Sequence, residues 1–584
     1  MTSKTSSRHA GQTRNTDELE RTRIPPSRQL SGKYFLGSFA GEHVAGTEFV
    51  IGASLVALGV STGDLLLGLL LGNLMAVLSW AWVCTPIATR SRMTLYWYIE
   101  RLAGKRFAWM YNLLNGLIFA VISGAMITVS ASAFRVVTGI PTQTGWYPES
   151  VSFVILALFV GAITVWLTLK GFKLIANFST VCAPWMAVMF VASGIVSIGI
   201  LLQLGEQQGV IGLSNVVDQF VWTGTTPAGD PGISVWIIAA WAWGANMPQH
   251  LGMSDMSTLR FARKTSYGYF SAAGMYIGHF VAWLCSGLMG ATAAMLAQSQ
   301  LIDMDPGGVA FRILGIMGLL AVVIAGWTTS IPCLYRAGLA FQSIFPRYSR
   351  TQVTLAVGSL TTVIACSPFV FNQWLNVLSY FIMLIAPIGG IIAAEHFILP
   401  RQGIRPFWRE HQKNIDNVPA FVTWGMSVAV GVILMSLDAI HLFTLFIPVW
   451  LTSLVGYPLI CVLMGARRES KGDLHLAAYG PVTPEEIAGD KPPATVPVQR
   501  RNPWYYLALA CLVVILAIAV ASYMSHKPLG FLSTFRWLII APTVVYFIAA
   551  TQWMKGRRRV RSDVASYKRQ WQKTAVTSDN TPHR

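Results

Sequence analysis

Apolar residues run through this chain in long blocks, not in the short alternating patterns of a soluble domain. The blocks recur from Ala40 to Trp553, many of them about twenty residues long, the length a helix needs to cross a bilayer core. Lipid offers the backbone no hydrogen-bonding partner, so a spanning block must satisfy its own N–H and C=O groups, as a helix does. Spans are predicted near 39–60, 63–88, 111–137, 150–169, 174–202, 233–250, 266–297, 308–332, 353–371, 374–399, 418–437, 441–465, 503–523 and 531–553. The chain thus reads as an all-α polytopic membrane protein of about fourteen helices.

The polar stretches divide it further. Residues 1–37 form a Ser/Thr/Arg-rich tail with no apolar core, so no signal peptide is visible and the first span is expected to act as its own insertion signal. Residues 467–502, with Pro481, Pro484, Pro492 and Pro493, read as a linker. It separates a twelve-helix body, 38–466, from two additional helices, 503–554, and a basic tail, 555–584.

Composition agrees with that reading: 54% of residues are hydrophobic and only 12% charged, too few to cover a soluble surface of this size. The net charge of +18 does not mark a nucleic-acid protein, because the cations lie in short loops between spans. One set of loops carries Arg90, Arg92, Arg101, Lys105 and Arg106, then Lys170, then Arg260, Arg263 and Lys264, and so on to Arg467 and Arg468. The alternate loops 139–149, 203–232 and 298–307 contain no Lys or Arg. Under the positive-inside rule this places both termini in the cytoplasm of a cell bounded by that membrane. The seven cysteines are scattered, mostly within spans, with no metal-ligand spacing. No phosphate-binding loop appears, and no nucleophile–base pair supports an enzyme.

Two spans are interrupted in corresponding places. The first contains Gly41-Glu42-His43-Val44-Ala45-Gly46-Thr47-Glu48, and the sixth Trp241-Ala242-Trp243-Gly244-Ala245-Asn246-Met247-Pro248-Gln249-His250. Glycine and proline loosen a helix there, and polar groups beside freed backbone make a ligand cage near the midplane. These spans are five apart, so two tandem five-helix units would enter the membrane from opposite sides, the inverted-repeat plan. The eighth span carries Thr328-Thr329-Ser330, whose hydroxyls either offer oxygens to a hard cation or bond back to their own helix.

Glu48 stands out, since an ionisable group deep in a span is costly and functional by default. It is suited to binding a basic group, completing a cation site, or carrying a proton. Glu42, His43, His250, Asp255 and Arg260 lie toward one mouth and are read as gate residues, with an interfacial Asp255/Arg260 pair as the plainer alternative. His279 and Arg135 are read as structural.

At these segments the chain resembles the nucleobase–cation symporter-1 family of purine, cytosine and hydantoin permeases, as a divergent member. The resemblance rests on Leu58-Gly59-Val60-Ser61 with Gly72-Asn73, Asn246-Met247-Pro248, and Asp255-Met256-Ser257 with Arg260-Phe261. Trp327-Thr328-Thr329-Ser330 with Leu334-Tyr335-Arg336-Ala337-Gly338, and Ala386-Pro387-Ile388-Gly389-Gly390, extend it over roughly residues 20–465. It implies an inverted five-helix-repeat transporter core of about twelve helices, plus the two extra C-terminal helices. By position it puts sodium, the only cofactor-like ion implied, on Thr328 and Thr329 and on backbone carbonyls from Val44 to Thr47. A small planar or nitrogen-containing solute such as a nucleobase would stack on Trp241 or Trp243, beside Glu48, Gly124, Asn246 and Ser330. The expected function is cation-coupled symport, by sodium or proton, through alternating access. A membrane solute sensor built on the same fold is the alternative. Oligomeric state is not legible.

Overall fold

The computed structural model describes residues 23–43, 46–143, 145–170, 172–411, 416–466 and 502–556. Among them the chain is helical, with only isolated β-bridges and no strand. The spans are α1 (Gly32–Glu42 and Gly46–Ala57), α2 (Thr62–Ser91), α3 (Leu95–Thr138), α4 (Val151–Leu169), α5 (Phe172–Gln207), α6 (Val235–Gly244 and Met247–His250) and α7 (Thr265–Ala297). They continue with α8 (Ile316–Ile344), α9 (Arg350–Ala365), α10 (Trp374–Ile398), α11 (Val418–Ser436), α12 (Leu442–Leu463), α13 (Pro503–Tyr523) and α14 (Pro528–Gly556). Eleven are long and apolar enough to cross a membrane; α1 and α6 fall short because they are broken, and α9 because it has 16 residues. The protein is an integral membrane protein.

Helix packing carries the inverted repeat. α1 packs on α7 as α2 packs on α6, and α3 packs on α9 as α4 packs on α8. Adding or subtracting five exchanges the members of each pairing, which is what two equivalent five-helix units, α1–α5 and α6–α10, require. Two bundles result: α1, α2, α6 and α7 in one, α3, α4, α8 and α9 in the other, where α8 lies along α3; they meet chiefly where α8 packs on α1. α10 to α12 pack together. The C-terminal pair docks on α5, where the Tyr546 hydroxyl donates to Val181 O at 2.8 Å and Trp185 Nε1 to Thr543 Oγ1 at 3.1 Å.

Some boundaries differ from the sequence reading. The eighth span was expected over 308–332; the structure has a separate short helix, Pro306–Leu314, and then α8 running on to Ile344. Gly315, at φ +61°, ends the first helix in a conformation other residues resist. Part of the expected N-terminal tail is bound to the body: Ile24 is buried, its N–H donates to Arg92 O, and Leu30 N donates to Phe261 O. Most of the 467–502 linker and of the basic 555–584 tail lies outside the described residues.

Candidate functional site at the paired helix breaks

α1 stops at Glu42, His43 leaves helical geometry at φ −95° and ψ 13°, and the helix restarts at Gly46. α6 stops at Gly244 and restarts after Asn246, at φ −107° and ψ 20°, with Pro248 in the first turn of the new segment. A proline there lacks only an N–H that would be unpaired anyway. Val44, and the side chain of Glu42, lie outside the described residues.

α7 closes over the break in α1. A Cβ on Gly278 would stand 2.2 Å from His43 O, so only glycine lets the two backbones approach this closely. The segment Gly274–Val281 of α7 is π-helical, as is Trp80–Cys84 of α2. Such widened turns are frequent at functional sites, because they displace side chains from the register a regular helix imposes.

Several sequence candidates converge here, together with residues that the sequence reading did not assign to the site. Glu48 is 2% exposed; Thr47 Oγ1 donates to its Oε2 at 2.5 Å, and His279 Nε2 lies 3.8 Å from its Oε1. The same His279 Nε2 is 3.0 Å from the side-chain amide of Asn246, and the ring stacks on Trp283 at 4.4 Å. His279 was read as structural; its place is between the polar groups of the two breaks. His43 packs on His279 with ring centroids 5.1 Å apart and on Trp80 at 5.8 Å, and Trp80 packs on His250 at 4.6 Å. Trp80 Nε1 donates to Asp255 Oδ2 at 2.7 Å.

Hydrogen bonding fixes two tautomers. His43 Nδ1 faces Phe39 O at 2.7 Å and must donate, leaving Nε2 as its basic nitrogen. His250 Nε2 faces Trp243 O at 3.0 Å and must donate, leaving Nδ1 as its base. That Nδ1, and the Nδ1 of His279, are buried with no hydrogen-bond partner among the described residues. No trio of His, Cys, Asp or Glu among those residues is arranged to hold a metal ion.

The threonine region is different. Thr328 Oγ1 donates to Ala325 O at 3.0 Å, and Thr329 Oγ1 donates to the same carbonyl at 3.1 Å while accepting from Gly46 N at 3.3 Å. Ser330 is buried, its carbonyl accepting from Ser123 Oγ at 2.9 Å. The remaining candidates are spread more widely. Gly124 packs against Thr361 and Ile364 of α9, and Trp241 against Phe443 at 4.7 Å. Trp243 packs on Phe446 and donates to Ser79 Oγ at 2.9 Å. Arg260 donates to Ser257 O and lies over the Phe261 ring, while Arg135 pairs with Asp305 toward the opposite end of the bundle.

No protein-family model matches the chain. The cytosine permease of Escherichia coli strain K12 is 24% identical over 216 residues, 34% of this chain and 50% of the permease, so the chain spans half the length of that curated relative. Among solved structures, the nucleobase–cation-symport-1 family transporter Mhp1, closed with bromovinylhydantoin bound, has a TM-score of 0.56 at 16% identity over 77% of this chain and 98% of its own. Its inward-facing form gives the same TM-score at 17% identity, over 76% and 96%. A Na+-coupled sialic acid symporter in a substrate-bound outward-open state reaches 0.50 at 13% identity, over 76% and 92%. The chain therefore carries the inverted-repeat fold of the nucleobase–cation symport-1 transporter Mhp1, with a weaker likeness in sequence to cytosine permease.

Proposed function

We propose that this protein is a secondary active transporter that carries a small, nitrogen-containing, planar solute by cation-coupled alternating access. One observation carries the reading: both broken helices present polar groups, the buried Glu48 and the half-buried Asn246, to the same imidazole, His279. A solute bound between such breaks would meet hydrogen-bonding side chains and freed backbone groups inside an apolar bundle, and rocking one bundle on the other would expose it to either side. Glu48, Asn246 and the indoles near them are the groups we assign to the solute. The nucleobase class follows from the names of the relatives, cytosine permease and Mhp1.

For coupling, the fold offers two places. Sodium would sit where Gly46 meets Thr328 and Thr329, and would have to displace the Gly46 amide from Thr329 Oγ1. A proton would sit on Glu48. The alternation of basic loops supports cytoplasmic termini, and on that reading cysteines at Gln208 and Gln300 should label from outside the cell.

The test is a thermal-shift screen of nucleobases and hydantoins on purified protein, followed by uptake into proteoliposomes under an imposed sodium or proton gradient. Accumulation above equilibrium by at least one of them is expected. Saturable binding with no accumulation under either gradient would favour the sensor instead.

A further inference from the structure

We propose that the Glu48–His279 pair is a proton-binding site, with His43, His250 and Asp255 the further titratable groups packed around it. The role of that proton in coupling rests on the transport reading above; its binding does not.

The geometry supports it at each step. With His279 neutral and Glu48 ionised, the pair has charge −1 inside an apolar bundle, and that charge is expensive there. One proton, taken either on His279 Nε2 to give an ion pair or on Glu48 Oε1 to give two neutral groups, brings the pair to zero. No other bond changes. Asn246 is an amide, able to donate to an unprotonated Nε2 or, turned over, to accept from a protonated one, so it serves both states. The closed site is thus favoured when loaded and disfavoured when bare, which is the differential a coupling ion must supply.

The neighbouring rings and side chains carry the other groups that can titrate with the pair. Glu48 meets Thr47 on its own helix and His279 on α7; His279 meets Glu48, Asn246 of α6, His43 of α1 and the Trp283 ring. His43 faces His279, Trp80 and Phe39 O, and His250 faces Trp80 and Trp243 O, with the carboxylate of Asp255 held on the other edge of Trp80. The Nδ1 of His250, which is its basic nitrogen, and the Nδ1 of His279 are buried with no hydrogen-bond partner among the described residues. The His43 and His279 rings are in direct edge-to-face contact at 5.1 Å.

The experiment is a pH-difference infrared spectrum of the full chain in lipid, with proteoliposome uptake of labelled cytosine as a second arm. Acidification should bring up a protonated-carboxyl band that disappears in Glu48→Gln and survives in Glu395→Gln. In His279→Gln the band should persist with its midpoint displaced by about one pH unit or more, because the carboxylate has lost the base with which it shares the proton. Conversely, a spectrum unchanged by Glu48→Gln overturns the proposal. So does a melting temperature that rises with sodium over choline, loses that rise in Thr329→Ala, and ignores pH. In the uptake arm, one unit of pH gradient should concentrate cytosine by up to about tenfold for a single proton. A Glu48 band without movement of cytosine or any other nucleobase would count against transport and leave the proton site standing.

Discussion

Among the described residues two glutamates are buried, Glu48 and Glu395, and they live in opposite circumstances. Glu395, at the π-helical end of α10, is fully buried; Phe407 N donates to its Oε1 at 2.5 Å and the Tyr457 hydroxyl to its Oε2 at 2.7 Å. Asn417 donates to Tyr457 Oη at 2.8 Å and to Leu102 O at 2.9 Å, so the cluster ties α10, α11, α12 and the first turns of α3 to the loop containing Phe407. Each oxygen of Glu395 has a neutral donor fixed by backbone or packing, and no imidazole shares its hydrogen bonds. Glu48 instead shares its surroundings with a base, in a region whose neighbouring rings keep unpartnered nitrogens. Burial alone therefore does not mark function. A carboxylate whose lone pairs are all engaged by fixed donors is a fastener, whereas one facing a titratable partner retains a second state to occupy.

The largest effect that separates the two should come from Glu395→Ala. It strands the Phe407 amide and the Tyr457 hydroxyl and opens a cavity, at a cost of about 3 kcal/mol or more. Tyr457→Phe should cost about 1–3 kcal/mol by leaving Glu395 Oε2 short of a donor. Both should lower the melting temperature, and transport per folded molecule should stay near wild type. Glu48→Gln should do the reverse, with a stability change under about 1 kcal/mol and loss of gradient-driven accumulation. If Glu395→Ala and Glu48→Gln prove alike in melting temperature and uptake, the contrast fails.

A middle-sized effect is expected at the contact that closes the site. Gly278→Ala drives a methyl group into the His43 carbonyl, so α7 or the α1 break must shift, at about 1–3 kcal/mol. Because the strain falls on His43 and His279, the proton-linked infrared signal should move along with the melting temperature. Gly425→Ala in α11, where nothing lies within 4 Å of the added Cβ, is the matched control and should change neither. A Gly278→Ala protein as stable as that control would show that the closed break is not the preferred state.

Much of this was legible along the chain, for definite reasons. Span lengths follow from bilayer thickness, and the breaks in α1 and α6 were visible because glycine, proline and polar residues interrupt apolar runs. The start of α8 was misplaced because Val309, Ala310, Ile313 and Leu314 make the short preceding helix apolar enough to resemble a span. His279 could not be assigned from sequence: a lone histidine in an apolar run is ordinarily structural, and its partners lie on α1 and α6. Trp80 carries no local signal at all, since aromatic residues pack throughout such bundles. Glu395 was equally invisible, because its hydrogen bonds come from Phe407 and from Tyr457, far along the chain.

The smallest effects should fall on the threonines, and there they discriminate most finely. Thr328 Oγ1 makes one bond, to a carbonyl of its own helix, and such back-bonding adds little to a helix that is already formed. Thr328→Ala should change stability by no more than about 0.5 kcal/mol. Thr329 Oγ1 also accepts from Gly46 N across the interface, so Thr329→Ala leaves that amide unpaired and should cost about 1 kcal/mol. Thr329→Ser keeps the hydroxyl and should restore the difference. If the threonines serve only these bonds, melting temperature and proton-driven uptake in sodium and in choline should be the same for wild type and for all three variants, apart from that small loss. If sodium binds here, wild type should be stabilised increasingly, and logarithmically above the dissociation constant, as sodium rises, and Thr328→Ala should weaken the effect although its own bond is dispensable. A sodium titration of the Thr328→Ala melting temperature therefore decides whether this contact is a packing joint between α1 and α8 or the place where the coupling ion sits.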